Sequence, residues 1–321
     1  MPKATFLHFA QSTLLHASAW TASASQFFWR ISGTTGALLE IEKSRGIRRC
    51  RFCDAPLGKP FLDLGRQPLA NAYITPERVA KKEFDCPLRV FFCAKCHLAQ
   101  LSDFMESRDI FNEQYAYFSS FSESWLRHAK NYTDLMVQRF GFNEDSHVVE
   151  IASNDGYLLQ YFKEKGIPVL GIEPSGNCAE VAVKKGIPSI VDFFGVKLAK
   201  KLNKDGQQAD LLLGNNVLAH VPDLNDFVAG LKIALKPEGI ITMEFPHLSK
   251  LIQEGQFDTI YHEHFSYFAF SVVDKVFAHH GLTLFDVEEL PTHGGSLRIF
   301  GRHAENGKLA VTPKVAALKK R

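Results

Sequence analysis

The sequence predicts an α/β protein: a doubly wound, mostly parallel sheet preceded by a small metal-binding domain. Short apolar runs alternate with helical stretches from Val148 to Glu244, and two Cys-x-x-Cys pairs share one segment ahead of them. Short strand, helix, short strand, repeated, builds βαβ units with parallel strands. The 321 residues suffice for about two domains at roughly 150 residues each. A content of 45% hydrophobic and 22% charged residues fits a folded globular chain and excludes a disordered one. Lys plus Arg number 37 against 35 Asp plus Glu, a balance without the electrostatic footprint of a nucleic-acid or anionic-membrane binder. No run approaches the roughly 18 apolar residues of a membrane span.

Residues 1–46 read as a flexible or spurious extension. They hold no acidic residue before Glu40, as in an organelle transit peptide, but only Lys3 and Arg30 are basic before Lys43, which is thin for that signal. Residues 47–105 form the cysteine domain and 106–303 the α/β domain. A helical pattern runs from Phe111 to Phe140, with Trp125, Leu126, Ala129, Tyr132 and Leu135 at three-and-four spacing. Strands are expected at Val148–Ala152, Val169–Ile172, Ile187–Val191, Leu211–Gly214 and Ile240–Glu244. Helices are expected at Leu158–Lys165, Ala179–Lys185, Val196–Leu202 and Leu224–Leu235. A helix at Ser271–His279 precedes two strand-like runs, Leu282–Leu290 and Ser296–Arg302, suited to antiparallel pairing at a sheet edge. Residues 304–321 read as a basic tail.

Cys50, Cys53, Cys93 and Cys96 make two knuckles, each able to place two thiolates on one ion. Four soft thiolates favour tetrahedral Zn²⁺, and four filled positions make the site structural. The intervening stretch exceeds the roughly 15–20 residues of a compact ribbon, so it must form its own small sheet or loop. Cys86 and Cys178 read as small core hydrophobes, and His97 as a surface or structural residue. Thiols kept for a metal point to a reducing, cytoplasmic setting.

The run Val148–Gly156 reads as a buried strand, a tight turn and a helix start, the place where a doubly wound sheet receives a nucleotide-like ligand. Gly156 permits close backbone approach, and Asn154 and Asp155 tolerate unusual backbone angles while able to bind the ligand. One glycine instead of three argues against a dinucleotide. About 20 residues on, Glu173 suits a ribose diol. Asp192, after the third strand, is either an adenine contact or a surface carboxylate. Asn215 and Asn216 follow the fourth strand.

With Glu150 and the Ser153–Gly156 turn, Glu173, the Val217–Asp223 stretch and Leu235–Gly239 before a strand, the chain resembles the class I S-adenosylmethionine-dependent methyltransferases, whose core is Rossmann-like. Further segments are more specific: Pro68–Asn71, Gln114–Ser120, Asn215–His220, Asp258–His264 with its Tyr-His-Glu-His, and Thr292–Arg298. With the two knuckles they resemble the zinc-containing C-methyltransferases of deoxysugar biosynthesis over residues 48–303. That resemblance implies methylation at C-3 of a nucleotide-linked 4-keto hexose through an enolate. It implies S-adenosylmethionine held by Glu150, Ser153, Asn154, Asp155, Gly156, Glu173, Asp192, Asn215 and Asn216. It also implies His264 as leading base with Glu263 beside it, and Tyr261, His220 and Tyr115 polarising the keto oxygen or ordering the substrate. If Tyr261–His264 is extended, His262 and His264 share one face and Tyr261 and Glu263 the other, so a bent loop could be needed. His262 and His264 as metal ligands, Tyr115 as a core aromatic and His220 as a structural histidine are the alternatives. The family continues past Thr292–Arg298 with a further α/β domain. The 18 residues after His303 are too few for one, since a βαβ unit alone takes about 30. The expectation is therefore a truncated tail with a missing partner domain, and turnover less secure than cofactor binding. An RNA methyltransferase gripping nucleic acid through the cysteine module, or a chain that binds the cofactor without turnover, are the competing readings.

Overall fold

The structure, a computed structural model, describes residues 48–102, 107–111 and 115–321; the expected N-terminal extension lies outside them. The cysteine segment supplies β1 (Leu62–Pro68), β2 (Asp85–Phe92) and β3 (Ala99–Leu101). The core opens with α1 (Glu123–Phe140), β4 (Val148–Ile151), α2 (Leu159–Glu164), β5 (Val169–Ile172) and α3 (Gly176–Lys184). It continues through β6 (Ser189–Ile190), α4 (Val196–Lys204), β7 (Ala209–Asn215), α5 (Leu224–Ala234) and β8 (Leu235–Pro246). Then come α6 (Leu248–Glu254), β9 (Ser266–Tyr267), α7 (Phe270–His279), β10 (Leu282–Leu290), β11 (Ser296–His303) and α8 (Pro313–Lys319).

The large sheet has the order β10-β11-β8-β7-β4-β5-β6. β4 pairs in parallel with both β5 and β7, and β11 runs antiparallel between β8 and β10. The chain leaves β4 to one side and returns to its other side, so the switch point lies between β4 and β7, where a doubly wound sheet opens its ligand crevice. Period-two alternation covers both faces. Val149, Ile151 and Leu212 pack with α4, α5 and α7, whereas Val148, Leu211 and Leu213 pack with Ala129, Tyr132 and Met136 of α1.

Two expectations need correction. α1 starts at Glu123, not near Phe111, because the Ser122 hydroxyl caps it by accepting the Trp125 N–H (3.3 Å). Upstream, backbone groups at 115, 117 and 119 bond to Asn177 and Asn154 and cannot continue a helix. The stretch read as a basic tail instead folds back on β10: the Thr312 N–H donates to the Phe285 carbonyl (2.8 Å), Val315 and Leu318 of α8 are buried, and Lys319 pairs with Asp274 (2.7 Å).

The small sheet has the order β1-β2-β3-β9, all antiparallel. β9 comes from residues 266–267, so a segment just past Tyr-His-Glu-His completes the cysteine module's sheet. Both knuckles have one geometry. Asp54 and His97 lie at positive φ (56° and 71°), and their N–H groups donate to Cys50 O and Cys93 O. Cys86 and Cys178 are buried, as expected.

Candidate active site and metal centre

The four Sγ atoms of Cys50, Cys53, Cys93 and Cys96 lie within 4.8 Å of one another, with Cys50–Cys96 and Cys53–Cys93 at 3.5 Å. Tetrahedral zinc with bonds of about 2.3 Å separates its sulfurs by roughly 3.8 Å, so the cluster fits that ion. The hydrogen bond from the Cys96 thiol pulls Cys50 down to about 4, and Gln100 Nε2 also donates to Cys50 Sγ (3.2 Å). His97 is exposed and stacks on Phe92, away from the ligand set. Three arginines of this module pair with carboxylates, Arg49 with Asp54, Arg66 with Asp85 and Arg89 with Asp63, while Arg51 donates to the Pro222 and Leu101 carbonyls and Arg48 lies over the Phe91 ring.

At the carboxyl end of β4, the backbone turns through left-handed conformations at Ala152 (φ 56°), Asn154 (φ 49°) and Gly156 (φ 74°), and Asn216 (φ 54°) does the same after β7. Non-glycine residues at positive φ concentrate where surrounding structure enforces them, commonly at ligand clamps. The Glu173 carboxylate accepts the Asn154 N–H (2.9 Å) and Ser175 N–H (2.8 Å). Burial pushes its proton affinity up against those donors. Glu150 is fully buried and pushed well up by burial, with the Tyr157 hydroxyl only partly offsetting it. The side chains of Ser153, Ser175, Asn215 and Asn216, with Asp155 Oδ1, keep buried polar atoms that no protein group satisfies. Such atoms at the end of β4, β5 and β7 fit a polar ligand such as S-adenosylmethionine. Asp192 is exposed beyond β6, its carboxylate accepting the Phe193 N–H (2.8 Å).

Asn154 joins this turn to the substrate side. Its Oδ1 accepts the Ser119 N–H (2.9 Å) and its Nδ2 donates to Tyr117 O (3.0 Å), while Asn177 Nδ2 donates to Tyr115 O (2.8 Å). Tyr115, half-buried, is thus tied to the first turn of α3, and the residues just after it to the turn after β4. Burial, and then the Glu263 and Tyr261 charges, push its phenol well up, which keeps it protonated.

Tyr261–His264 is a turn, not an extended strand, since the His264 N–H donates to Tyr261 O (3.0 Å). The turn sends the two histidines apart. The His262 ring meets Pro87 O through Nε2 (3.2 Å), anchoring the turn on β2. His264 stays beside Tyr261, its ring tilted 39° at 4.1 Å, and sits edge-on to His220 at 4.7 Å. Its Nδ1 faces Thr259 O at 2.7 Å, so it carries the proton and Nε2 is left an acceptor. Burial lowers His264 to about 4 and His220 well below its ordinary value, so both rings are neutral near pH 7. Glu263 is buried, its Oε1 accepts from Asn71 Nδ2 (2.9 Å), and burial pushes it up to about 7. The five residues expected to carry the chemistry therefore converge at one sheet edge.

Sequence reasoning missed a buried charge network centred on Glu244. Glu244, at the end of β8, bonds His128 (2.9 Å), Arg298 (3.1 Å) and Thr292 (3.0 Å). Burial pushes its carboxyl up, yet these partners outweigh that and hold it ionised below the usual range. Trp125 stacks on His128 (4.8 Å) and Tyr157 (6.0 Å), and His293 sets its edge against it (5.1 Å). His293 lies at φ 50° in a short helical turn, Thr292–Gly294, that leads into β11. A carboxylate within the mostly apolar run Ile240–Phe245 was the available signal.

Among the described residues no helix is long and apolar enough to cross a membrane. A zinc binding domain family matches residues 50–111, and a methyltransferase domain family matches residues 125–287. The C-methyltransferase NovU of Streptomyces niveus is 34% identical over 260 residues, covering 81% of this chain and 62% of that one. A ubiquinone biosynthesis O-methyltransferase of Bartonella quintana (strain Toulouse) is 26% identical over 99 residues, 30% of this chain and 40% of that one. The crystal structure of the PH0226 protein of Pyrococcus horikoshii OT3 superposes with a TM-score of 0.45 at 15% identity, over 63% of this chain and 100% of that one. The chain thus spans under two thirds of the length of these curated relatives, but the methyltransferase match covers β4 to β8, the switch point and the turn after β4, and the chain belongs to the methyltransferase domain family, with a zinc binding domain ahead of its core.

Proposed function

We propose that the protein is a cytoplasmic, S-adenosylmethionine-dependent C-methyltransferase that methylates the carbon beside the 4-keto group of a nucleotide-linked deoxysugar through an enolate. One observation carries the reading: the buried Glu263 carboxylate, bonded to Asn71 Nδ2 (2.9 Å) and pushed up to about 7 by burial, shares one turn with Tyr261 and His264, whose ring meets His220. Carbon methylation needs a base near its working pH, a donor for the developing oxyanion and little water. The name of the Streptomyces niveus relative gives the same reaction type.

Glu263 takes the base role, because burial raises it toward neutral pH and weakens His264 as a proton acceptor. It accepts the carbon-bound proton and Asn71 aims it. Tyr261 and Tyr115, kept protonated by burial, donate to the enolate oxygen. His264 presents Nε2 to a sugar hydroxyl, its ring plane fixed by Thr259 O and the His220 ring. S-adenosylmethionine, when bound, supplies an electrophilic methyl group; Glu173, Asn154–Gly156, Asn215 and Asn216 would hold it, with Glu150 and Ser153 behind.

The test is exchange of the substrate's C-3 proton into deuterated solvent, using a panel of TDP-4-keto-deoxysugars with methyl transfer measured alongside. Wild-type exchange rises with pH through about 7, because the base works deprotonated. Glu263→Gln lowers it at least about 100-fold, and His264→Ala chiefly raises KM. Unchanged exchange in Glu263→Gln overturns the base assignment, and loss confined to His264→Ala moves that role to the imidazole. No methyl transfer to any keto sugar by wild type overturns the substrate class.

A further inference from the structure

We infer that Asn71 is a positioning residue: the zinc module reaches into the methyltransferase cleft through this one amide and aims the Glu263 carboxylate at the substrate. The inference rests on Glu263 acting as base.

Asn71 and Glu263 are 192 residues apart in sequence, yet Asn71 Nδ2 donates to Glu263 Oε1 at 2.9 Å. Asn71 lies in the turn after β1 at φ 58°. Asparagine tolerates that conformation where a branched or bulky residue would not. The turn therefore asks for an amide on two grounds, backbone and side chain. Glu263 is 3% exposed, whereas Asn71 is exposed, so the donor reaches the buried carboxylate from the solvent side. One Glu263 oxygen is engaged and the other is free to take a proton.

Three further contacts fix the distance between the two residues. Leu101 N–H donates to Phe265 O (2.9 Å), β3 pairs with β9 at Ala99–Tyr267 and Gln100–Ser266, and His262 meets Pro87 O. Residues 262, 265, 266 and 267 are thus bonded to the module that carries Asn71, and Glu263 sits inside that bracket. The titratable groups facing Glu263 are Tyr115 from the segment before α1 and Tyr261 from its own turn. Both are neutral, so the Asn71 amide is the donor that favours the ionised carboxylate.

The experiment compares Asn71→Gly, Asn71→Asp and Asn71→Ser with wild type. Glycine accepts the backbone angle and removes only the amide; aspartate keeps the shape and replaces the donor by a charge; serine retains a shorter donor. Three quantities are read: zinc content, S-adenosylhomocysteine affinity by calorimetry, and the Glu263 titration followed by carbon-13 carboxyl NMR, with the pH profile of proton exchange beside them. Zinc content and affinity stay within about twofold of wild type in all three. The Glu263 midpoint moves up from about 7 in Asn71→Gly and further in Asn71→Asp. Plateau exchange falls about 10- to 100-fold in Asn71→Gly, with Asn71→Ser between it and wild type. An unmoved Glu263 titration in Asn71→Gly and Asn71→Asp overturns the inference, as does wild-type plateau exchange in Asn71→Gly. The titration needs no substrate, so it judges Asn71 even if the keto-sugar reading fails, and that reading fails separately if wild type turns nothing over.

Discussion

Gly156 shows how much one residue can decide. Its φ is 74°, and a Cβ built on it would lie 2.4 Å from Ile187 Cδ1 and 3.3 Å from Ala182 Cβ. Gly156→Ala therefore meets both backbone strain and a packed core, and the turn can only answer by moving off the position that the ligand needs. S-adenosylhomocysteine affinity should fall at least about tenfold, with a stability loss of about 1–3 kcal/mol, read by calorimetry and thermal melting. An alanine variant with wild-type affinity would show that the turn does not hold the cofactor. Gly156, Asn154 and Asp155 were legible in the sequence because turn chemistry is local. Glu244 was not: its partners stand 116, 48 and 54 residues away, and a contact at such a separation leaves no periodic trace. Asn71 lay in a recognised motif, but nothing in the chain itself names Glu263 as its partner.

Among the elements, β8 and β11 carry the charge network that the alternation of apolar residues concealed. Glu244 and Arg298 face each other across their antiparallel register and are 0% and 4% exposed. Arg298 also pairs with Glu288 (3.0 Å) on β10 and lies over the Tyr132 ring. Removing one member of a buried pair strands the other, which costs about 3–5 kcal/mol, more than the pair contributes over an apolar substitute. Glu244→Ala should therefore lower stability by that amount in chemical denaturation, and Arg298→Met on the same background should recover part of it. Additive losses would mean the two residues act independently. The network also sets the Thr292–Gly294 turn and the His128 ring, so the same variant should alter Trp125 fluorescence. The strands themselves were readable, since Leu282–Leu290 is bounded in the structure as the sequence predicts. The α1 start was not, because apolar spacing continues upstream while the backbone there is claimed by Asn154 and Asn177.

For the whole molecule, contacts run across the linear division drawn at residue 105. Residues 99–101 pair with 266–267, Asn225 Nδ2 donates to Arg51 O (3.2 Å) and Phe52 O (2.9 Å), and Cys50, Cys93 and Cys96 join one apolar cluster with α5 and α7. Composition marked the cysteine segment but could not reveal that a strand 166 residues past Gln100 closes its sheet; pairing of that range is invisible to periodicity. The consequence is thermodynamic. If four thiolates bind zinc, the ion's binding energy stabilises β3, β3 holds β9, and β9 follows the Tyr261–His264 turn, so folding and metal binding are linked across both modules. Stripping zinc with a chelator should lower the melting temperature of the methyltransferase core itself, within one calorimetric transition, and should loosen amide-exchange protection at residues 262–267 while leaving β4 and β5 protected. A separate low-temperature transition with an unshifted core would show that the two modules fold independently. Cys96→Ser should reproduce the chelated state, because it removes one of four ligands and leaves the β3–β9 hydrogen bonds chemically untouched.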